Sequence, residues 1–190
     1  MSGHGFHVHG PHDHEVEHVA HHGGDGFTSR LAVLTAVLST IGALFGYMGG
    51  HSQNNALLYK NEAAIQKTSA ANQWNYYQAK SSRQNLAELA SHIPGVDAAH
   101  YQAEIERYKR QKEEVRKQAE TLEATSRDWD HKSEEALHQH HRWAQAMTAI
   151  QIAISLAAIT LLTRKEWLKR MSYTAGGVAV MLGGLAWLHL

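Results

Sequence analysis

Residues 143–163 read WAQAMTAIQIAISLAAITLLT and contain no charged side chain, whereas residues 97–142 before them are densely charged. From residue 97 to residue 175 the chain has neither glycine nor proline, although it carries 15 glycines and 2 prolines. Because these residues are the usual breaks in a helix, one uninterrupted helix is predicted. Its polar part is heptad-like, with Tyr101, Ile105, Tyr108, Val115, Ala119, Leu122, Trp129 and Ala136. We therefore expect one helix that leaves water and enters a lipid bilayer.

The apolar residues are concentrated in three blocks, at 31–50, 143–163 and 172–190. Each is close in length to the ~20 residues that a helix needs to cross a hydrocarbon layer, and none contains Asp, Glu, Lys or Arg. Transmembrane helices are assigned to 28–50, 143–163 and 172–190. The predicted fold class is all-α, with three transmembrane helices and a long, coiled-coil-like antiparallel helical hairpin between the first and the second.

Charge balance and cysteine content exclude several classes of protein. Lys plus Arg equals Asp plus Glu, at 18 each, so the composition does not indicate a nucleic-acid partner. The chain has no cysteine, which excludes disulfides, thiolate metal sites and thiol catalysis. We expect no enzymatic activity, no catalytic residue and no cofactor other than the metal ions considered next.

Residues 1–27 are predicted to be a disordered, histidine-rich cytoplasmic tail. Eight of the sixteen histidines fall within residues 1–26, in a composition that buries almost no apolar surface. His14, His18 and His22 would share one face of a helix, and imidazole clusters suit Zn, Ni or Cu. Residues 14–18 match the zinc-protease pattern H-E-x-x-H, but such a short tract lacks the packed domain and third ligand of a protease. The tail therefore indicates metal binding or sensing, not catalysis.

Two apolar blocks carry rows of small residues at four-residue spacing. The rows are Gly42, Gly46 and Gly50 in the first block, and Ala175, Ala179 and Gly183 in the third. Small residues at this spacing let helix backbones approach closely in lipid, so both rows are predicted packing faces. The glycine row is also a candidate for the lining of a pore.

The second block carries a polar line at Thr148, Gln151 and Ser155. In transmembrane helices such groups usually form hydrogen bonds to a neighbouring helix. A permeation path is the alternative, although transport sites more often contain an ionisable group.

A helical hairpin is assigned to 51–142, with its tip at 94–96. Residues 51–93 lack glycine and proline, and Pro94, Gly95 and the N-cap candidate Asp97 follow. On the first arm the apolar seam is expected at Leu58, Ile65, Trp74, Tyr77 and Leu86. If facing residues have numbers that sum to about 189, three ion pairs follow, namely Glu62–Arg127, Lys67–Glu123 and Arg83–Glu106. The seam is sparse for two helices, so a homo-oligomer of hairpins is expected.

Residues 74–84, WNYYQAKSSRQ, are the densest group of aromatic and polar side chains in the soluble part. Trp74, Tyr77 and Ser81 lie on one helical face, which favours a core stripe over a ligand or partner surface. The stretch resembles the bacterial family called domain of unknown function 4337 (DUF4337), through Trp74, Tyr77, Gln78, Ala79, Lys80, Ser81, Arg83 and Gln84. The resemblance covers residues 28–190 and implies a multi-pass bacterial membrane protein, without a known activity or substrate.

Basic residues predict the orientation in the membrane. Arg164, Lys165, Lys169 and Arg170 fall in the short predicted loop 164–171. Short basic loops stay in the cytoplasm, so the amino terminus is also expected there, and Arg30 agrees. The protein is thus expected in a bacterial inner membrane, with the hairpin and the carboxyl terminus on the periplasmic side.

These patterns favour a homo-oligomeric scaffold or interaction protein in the lipid bilayer. Its hairpin is expected to project roughly 60–70 Å and to contact further copies or a periplasmic protein. The first alternative is an oligomeric channel or transporter-like assembly, and the second is metal binding or sensing through the tail.

Overall fold

The computed structural model describes residues 26–188, and the regular structure in this range is entirely helical. The helices are α1 at Gly26–Ser91, α2 at Ala98–Thr163 and α3 at Glu166–Trp187. The described chain forms two compact units, called here the terminal unit (26–52 and 138–188) and the hairpin unit (53–137). The predicted all-α class and the antiparallel helical hairpin are confirmed.

The turn between α1 and α2 combines the residues that the sequence singled out. Gly95 has a φ of +87°, which a residue without Cβ adopts at little cost. The carboxylate of Asp97 accepts a hydrogen bond from the backbone N–H of His100 at 3.1 Å, as an N-cap does. The predicted tip at 94–96 lies within this turn, between the end of α1 at Ser91 and the start of α2 at Ala98.

The first arm of the hairpin unit contributes small residues to the seam between the arms. Ala56, Ala63 and Ala70 are buried at seven-residue intervals. From the second arm, Ser126 and Ser133 donate hydrogen bonds to the backbone oxygens of Ala63 and Ala56, each at 2.8 Å. A seryl hydroxyl reaches the facing backbone only where the helices are close, and alanine allows that approach. Both pairs have residue numbers that sum to 189, as the predicted register requires at these two positions.

The second arm supplies most of the larger apolar side chains of the seam. Ile105 and Val115 are buried, and Ala119 is fully buried. The rings of Tyr59 and Trp129 meet across the seam with 5.6 Å between their centroids. The predicted heptad pattern of α2 therefore marks the face that packs in the hairpin unit.

The seam predicted for the first arm is wrong at three positions. Leu58, Ile65 and Leu86 are 55%, 57% and 65% exposed. These residues also recur at multiples of seven, but they lie two positions after the buried alanine row. The prediction placed these residues in the seam because they are large and apolar. Helices that pack this closely have room only for small side chains between them, so the large residues lie outside.

The predicted ion pairs between the arms are also wrong: Glu62–Arg127, Lys67–Glu123 and Arg83–Glu106 are not formed among the described residues. Glu106 pairs with Lys109 at 2.8 Å on its own helix. Glu123 accepts a hydrogen bond from the indole of Trp74 at 2.8 Å. Neighbours one turn away are reached without stretching a side chain across the seam, which explains the preference for pairs within a helix. Lys60 and Asp130 do form an ion pair between the arms.

The core of the terminal unit joins all three helices. It consists of Leu38 from α1, Ile150, Ala153 and Ile154 from α2, and Ala179 from α3. The hydroxyl of Ser172 is fully buried and donates a hydrogen bond to the backbone oxygen of Ala153 at 2.9 Å. The buried hydroxyl of Ser172 is thus satisfied by direct contact of α3 with α2.

The connection between α2 and α3 is shorter than the predicted loop 164–171. Helix α2 ends at Thr163 and α3 begins at Glu166, so only Arg164 and Lys165 lie between them. Arg164 has a φ of +49°, in the left-handed region, and its N–H bonds to the backbone oxygen of Thr160 at 2.8 Å. This bond closes the last turn of α2. The left-handed conformation of Arg164 then ends the helix, and the chain turns into α3 within two residues.

Two of the described helices, α1 and α2, are long and apolar enough to cross a membrane, judged by length and composition alone. Helix α3 does not meet the same criterion, so three transmembrane helices are not supported. The mean hydropathy of α3 is lowered by Glu166, Lys169 and Arg170 in its first turns. Four glycines and the polar residues of the third block lower it further. Its last two residues lie outside the described range.

Candidate functional site

The signature stretch 74–84 divides between the inside and the outside of the hairpin unit. Tyr77, Lys80 and Gln84 face the second arm, and Lys80 and Gln84 are buried. Trp74 and Ser81 are half-buried, whereas Gln78, Ala79 and Arg83 are exposed. The stretch is therefore neither a simple core stripe nor a simple outer surface. Its inner face builds a polar layer within the seam.

Lys80 is the centre of this polar layer. Its side chain donates a hydrogen bond to Oε1 of Gln111 at 2.8 Å, and the residue is only 8% exposed. Its ammonium lies 4.8 Å from the ring centroid of Tyr76 and 5.7 Å from that of Tyr108. No carboxylate forms an ion pair with Lys80 in the described chain. The positive charge is thus held by an amide oxygen and by aromatic faces.

A second cation extends the layer toward the tip. Lys112 donates a hydrogen bond to Oε1 of Gln84 at 3.0 Å and lies 5.5 Å from the ring centroid of Tyr77. The amide of Gln84 in turn donates to Glu88 at 2.8 Å. The two lysines therefore bond to amides on opposite arms, Lys80 from α1 to α2 and Lys112 from α2 to α1. A reciprocal pair of this kind holds one register between the arms, which is the best-attested use of polar groups in a coiled-coil seam.

A groove of about 650 Å³ lies beside the seam, on the far side of Trp74 from the polar layer. Its lining includes the buried alanines Ala63 and Ala70 and the exposed alanines Ala64 and Ala71. Lys67 and Arg127 lie at its rim. The groove therefore combines small apolar side chains with charged ones along the seam.

The shifted pKa values belong to exposed ion pairs outside the apolar segments. The hydrogen bond and charge of Asp130 raise the pKa of Lys60. Lys109 lowers the pKa of Glu106 in the same way, and the pKa of Lys109 is raised in return. Such surface pairs are screened by water and salt, so they indicate local charge pairing and not a catalytic acid or base.

The glycines and alanines singled out from the sequence occupy different places in the terminal unit. A Cβ on Gly42 would lie 3.1 Å from Cγ2 of Ile150, and one on Gly46 would lie 3.7 Å from Cε of Met147. Gly50 has no neighbour within 4 Å of its Cβ position. On α3, Ala179 and Gly183 are buried and Ala175 packs against the core.

Two close approaches in the terminal unit were missed by the four-residue spacing. The Cβ position of Gly49 lies 3.3 Å from Cβ of Trp143, and that of Gly176 lies 3.2 Å from Cδ2 of Leu38. The signal that finds Gly49 is seven-residue spacing from Gly42, the same interval as the buried alanines of the hairpin unit. In both units the helices approach through small residues at heptad spacing.

The polar line of α2 lies on the exposed surface of the terminal unit. The hydroxyls of Thr148 and Ser155 donate to the backbone oxygens of Ala144 and Gln151 at 2.8 and 2.9 Å, within their own helix. The amide of Gln151 has no hydrogen-bond partner in the described part of the chain. The line is therefore available to a neighbour outside this chain.

One end of the apolar part of α2 carries a cluster of ring side chains. Trp143 is 2% exposed and packs on Phe45, with 5.4 Å between the ring centroids. Its indole Nε1 is buried without an acceptor among the described residues. His140 donates from Nδ1 to the backbone oxygen of Gly49 at 2.9 Å. These contacts bind α2 to α1 where the uncharged block begins.

The candidate metal ligands His14, His18 and His22 lie outside the described residues. Within residues 26–188, no group of three or more His, Asp or Glu side chains is placed to hold a metal ion. Binding of Zn, Ni or Cu by the tail stays a prediction.

Comparison with known protein families identifies a match that covers most of the chain. The family model described as "Domain of unknown function (DUF4337)" matches residues 27–189. This range includes both described units and begins where the histidine tail ends. Neither a curated protein nor a solved structure matches the chain.

Proposed function

Since the chain belongs to the DUF4337 family, whose description assigns no activity, we propose from its geometry that it is a non-enzymatic, membrane-anchored scaffold. In this proposal the terminal unit lies in the bacterial inner membrane and the hairpin unit provides the contact surface outside it. The protein acts as a homo-oligomer that also presents its hairpins to a periplasmic partner.

The observation that carries membrane anchoring is the exposure of the apolar segments. Only 22% of the most apolar window of α1 and 33% of that of α2 is buried inside the structure. A core helix of a water-soluble protein hides most of such a window. Large side chains such as Val37, Leu44 and Ile159 are instead exposed. A bilayer covers them without requiring a further protein surface.

The proposal extends to α3, as a third helix in the apolar layer. Its buried face consists mainly of small residues, among them Gly176, Ala179 and Gly183. Its opposite face exposes Val178, Met181 and Leu185, among others. Small residues inward and large apolar residues outward are typical of a helix in lipid, where packing replaces the hydrophobic effect between helices. With 22 residues, α3 is long enough to span the hydrocarbon layer.

The orientation is supported by a contact at one end of the terminal unit. The ammonium of Lys169 lies 4.9 Å from the ring centroid of Phe27, so the start of α3 lies beside the start of α1. Arg30 and the residues 164–170 therefore bring five basic side chains to one end. The positive-inside rule favours the cytoplasm for this end. The amino terminus is then cytoplasmic, and the hairpin unit and the carboxyl terminus are periplasmic.

Membrane anchoring is tested by washing isolated membranes with carbonate. We expect the chain to stay in the pellet and to need detergent for release. A tag inserted after Gly95 should react with a reagent that cannot cross the inner membrane, and a tag at the amino terminus should not. Release of the chain by carbonate alone would contradict the anchoring, and reversed labelling would contradict the orientation.

Self-association is tested by measuring the mass of the detergent-solubilised protein. The Gly46→Leu variant places a large side chain on an exposed small-residue face of α1, and we expect it to weaken an oligomer that forms there. Gly184→Leu, on α3, is the matched control. A monomer before and after both substitutions would contradict the oligomeric scaffold.

A pore between copies is the second candidate, favoured by the unpartnered amide of Gln151 on the exposed polar line in the described part of the terminal unit. Liposomes that contain the protein would then pass ions, and Gln151→Ala would change the flux. The absence of flux for common ions in liposomes with a verified oligomer would reject the pore and leave the scaffold unaffected.

A further inference from the structure

The outward face of α1 in the hairpin unit has an unusual composition for a helix in water. Five positions at seven-residue intervals carry Leu58, Ile65, Asn72, Ala79 and Leu86, and all five are exposed. We call this row the outer stripe. It contains no charged residue and is apolar except at its centre, and its three large apolar members are 55–65% exposed.

The second arm provides the natural comparison. On α2 the positions with the same offset from the seam are Arg107, Glu114, Thr121, Asp128 and Glu135, all exposed. Four of these five are charged, as expected for a helix face that remains in water. The arms share one seam, so their different outer faces indicate different surroundings. The outer face of α2 meets solvent, whereas the outer stripe, apolar at four of its five positions, requires cover.

We propose that the outer stripe is the contact by which two copies of this chain pair, with α1 of one copy parallel to α1 of the other and in register. The parallel direction rests on the proposed function, because copies inserted with one topology in one membrane are related by an axis along its normal. Each stripe residue then faces its own counterpart. The stripe thus forms a second coiled-coil seam, on the back of the first.

Spacing supports this partner. The inner seam of the hairpin unit repeats every seven residues, and the outer stripe repeats at the same interval. A seven-residue row stays on one side of helices that wind around each other, whereas a row of 3.6-residue period drifts away. An identical helix that winds in the same way follows the stripe along its whole length.

The central residue of the stripe, Asn72, favours a parallel and identical partner as well. It stands between Ile65 and Ala79 in a row that is otherwise apolar. A single asparagine within an apolar coiled-coil row fixes the register and the number of helices, at a cost in stability. The amide both donates and accepts hydrogen bonds, so the two Asn72 side chains of a symmetric pair can bond to each other. Any shift of register would place this amide against an apolar residue.

The row of positions three residues after the stripe is equally compatible with a second copy. Asn61, Thr68, Asn75 and Ser82 lie three residues after successive stripe positions and are exposed and uncharged. Their amide and hydroxyl groups can each pair with the same group of an identical helix. Like charges at these positions would repel across a symmetric contact, and none is present.

The available area suits a tethered dimer. The 36 residues from Asn54 to Leu89 extend about 54 Å at 1.5 Å per residue, and a helix is about 10 Å wide. The contact would bury roughly 500 Å² on each copy and about 1,000 Å² in total, near the lower limit for a specific interface. Attachment to one membrane raises the effective concentration of the copies, which lets an interface of this size suffice.

The absence of native cysteine makes the contact directly testable. Single variants Ile65→Cys, Asn72→Cys, Ala79→Cys and Leu86→Cys are oxidised in isolated membranes and resolved on non-reducing gels. We expect each to form a disulfide with its own counterpart, because facing stripe positions come within the Cα separation that a disulfide needs. Thr121→Cys and Ala124→Cys, both at exposed positions of α2, are the matched controls and should give about tenfold less dimer.

The outcomes separate this inference from the proposed function. Equal cross-linking at stripe and control positions, or an adduct whose mass is not twice that of the chain, would overturn it. A further variant, Gly46→Cys, reports on association through the terminal unit. Dimers at Gly46→Cys without dimers on the stripe would overturn the outer-stripe contact while retaining the oligomeric scaffold.

A charge variant provides a second measurement. Ala79→Glu places like charges opposite each other in the proposed pair, whereas Ala124→Glu adds the same charge to the outer face of α2. We expect Ala79→Glu to abolish the Ile65→Cys dimer and Ala124→Glu to leave it unchanged. Because position 79 is exposed in the single chain, the fold of the hairpin itself should survive. An unchanged dimer in the Ala79→Glu background would contradict the proposal.

Discussion

The hairpin unit and the terminal unit bring helices together by the same means and differ in what covers the outside. In the hairpin unit α1 presents Ala56, Ala63 and Ala70 to α2, and in the terminal unit it presents Gly42 and Gly49. Ser126 and Ser172 both bond across to a neighbouring helix, at 2.8 and 2.9 Å. Helix contact thus depends on small residues at regular spacing, whether the outer face is charged or apolar.

If the terminal unit lies in a membrane, as proposed, the two units differ in the force that holds their helix contacts together. In water, burial of apolar area stabilises a seam, and alanine buries little area. In lipid, close packing and dispersion take its place, and glycine serves this better than a larger residue. The hairpin seam buries little apolar area, so the loss of a single contact there should be felt. The helices of the terminal unit are closely packed, so an added side chain should be tolerated poorly. The following predictions test this contrast.

The largest effect is expected from bulk at Gly183. A Cβ at this position would overlap the ring of Phe45, whose Cε2 would lie only 2.6 Å away. We expect Gly183→Leu to destabilise the terminal unit by about 3 kcal/mol through overpacking. Unfolding of the detergent-solubilised protein, followed by tryptophan fluorescence, measures it. Gly184→Leu is the control, since no atom lies within 4 Å of its Cβ position. Equal effects of the two substitutions would contradict the close packing of α3.

A smaller effect is expected from bulk in the hairpin seam. Ala70 is 2% exposed and Ala119 is fully buried. Ala70→Leu should force the arms apart and cost about 2 kcal/mol. Ala71→Leu adds the same side chain at an exposed neighbouring position and should change stability little. Thermal unfolding followed by circular dichroism compares the two. If Ala71→Leu is the more disruptive, the seam assignment is wrong.

The loss of one hydrogen bond between the arms is expected to cost less. Ser126→Ala removes the donor to the backbone oxygen of Ala63, a buried bond of 2.8 Å. We expect a loss of about 1 kcal/mol. Thr121→Ala removes a hydroxyl that bonds only to its own helix, at Lys117, and should be nearly neutral. Equal losses for both hydroxyls would indicate that the seam bond contributes nothing specific.

The smallest effect concerns the exposed pair Glu106–Lys109. Because Lys109 lowers the pKa of Glu106 from its ordinary value of 4.5, the pair stabilises the folded state above that value. The contribution is lost as pH falls through the lowered pKa. Glu106→Gln should therefore lower the melting temperature slightly near neutral pH and not at strongly acidic pH. Glu114→Gln is the control, as Glu114 forms no ion pair among the described residues. Added salt should remove the difference.

The sequence predicted the helices and the tip for clear physical reasons, whereas the predicted register rested on three ion pairs that are not formed. Glycine and proline are absent from the arms and present at Pro94 and Gly95, so breaks and turns follow directly from residue type. The heptad pattern of α2 combines large apolar residues with many charges, which leaves only one face free to pack. Length and hydropathy also identify the segments of α1 and α2 that are apolar enough to cross a membrane.

The faces of α1 could not be predicted in the same way. Alanine is common on several sides of this helix, and Ala63 is buried while Ala64 is exposed. Gly49 is buried and Gly50 is exposed for the same reason. Which of two identical neighbours is buried depends on where the partner helix packs, and the residue type alone does not show this. The burial of Lys80 was equally hidden, because its acceptor Gln111 lies 31 positions away.

The antiparallel seam has a consequence for how such a hairpin can change its length. A seven-residue insertion in one arm alone would leave the added turns without a counterpart, because Ser126 and Ser133 would then pair one heptad away from Ala63 and Ala56. Insertions of equal length in both arms preserve every later pairing. We therefore expect hairpins of this kind to be lengthened or shortened in steps of about fourteen residues, added or removed symmetrically about the tip.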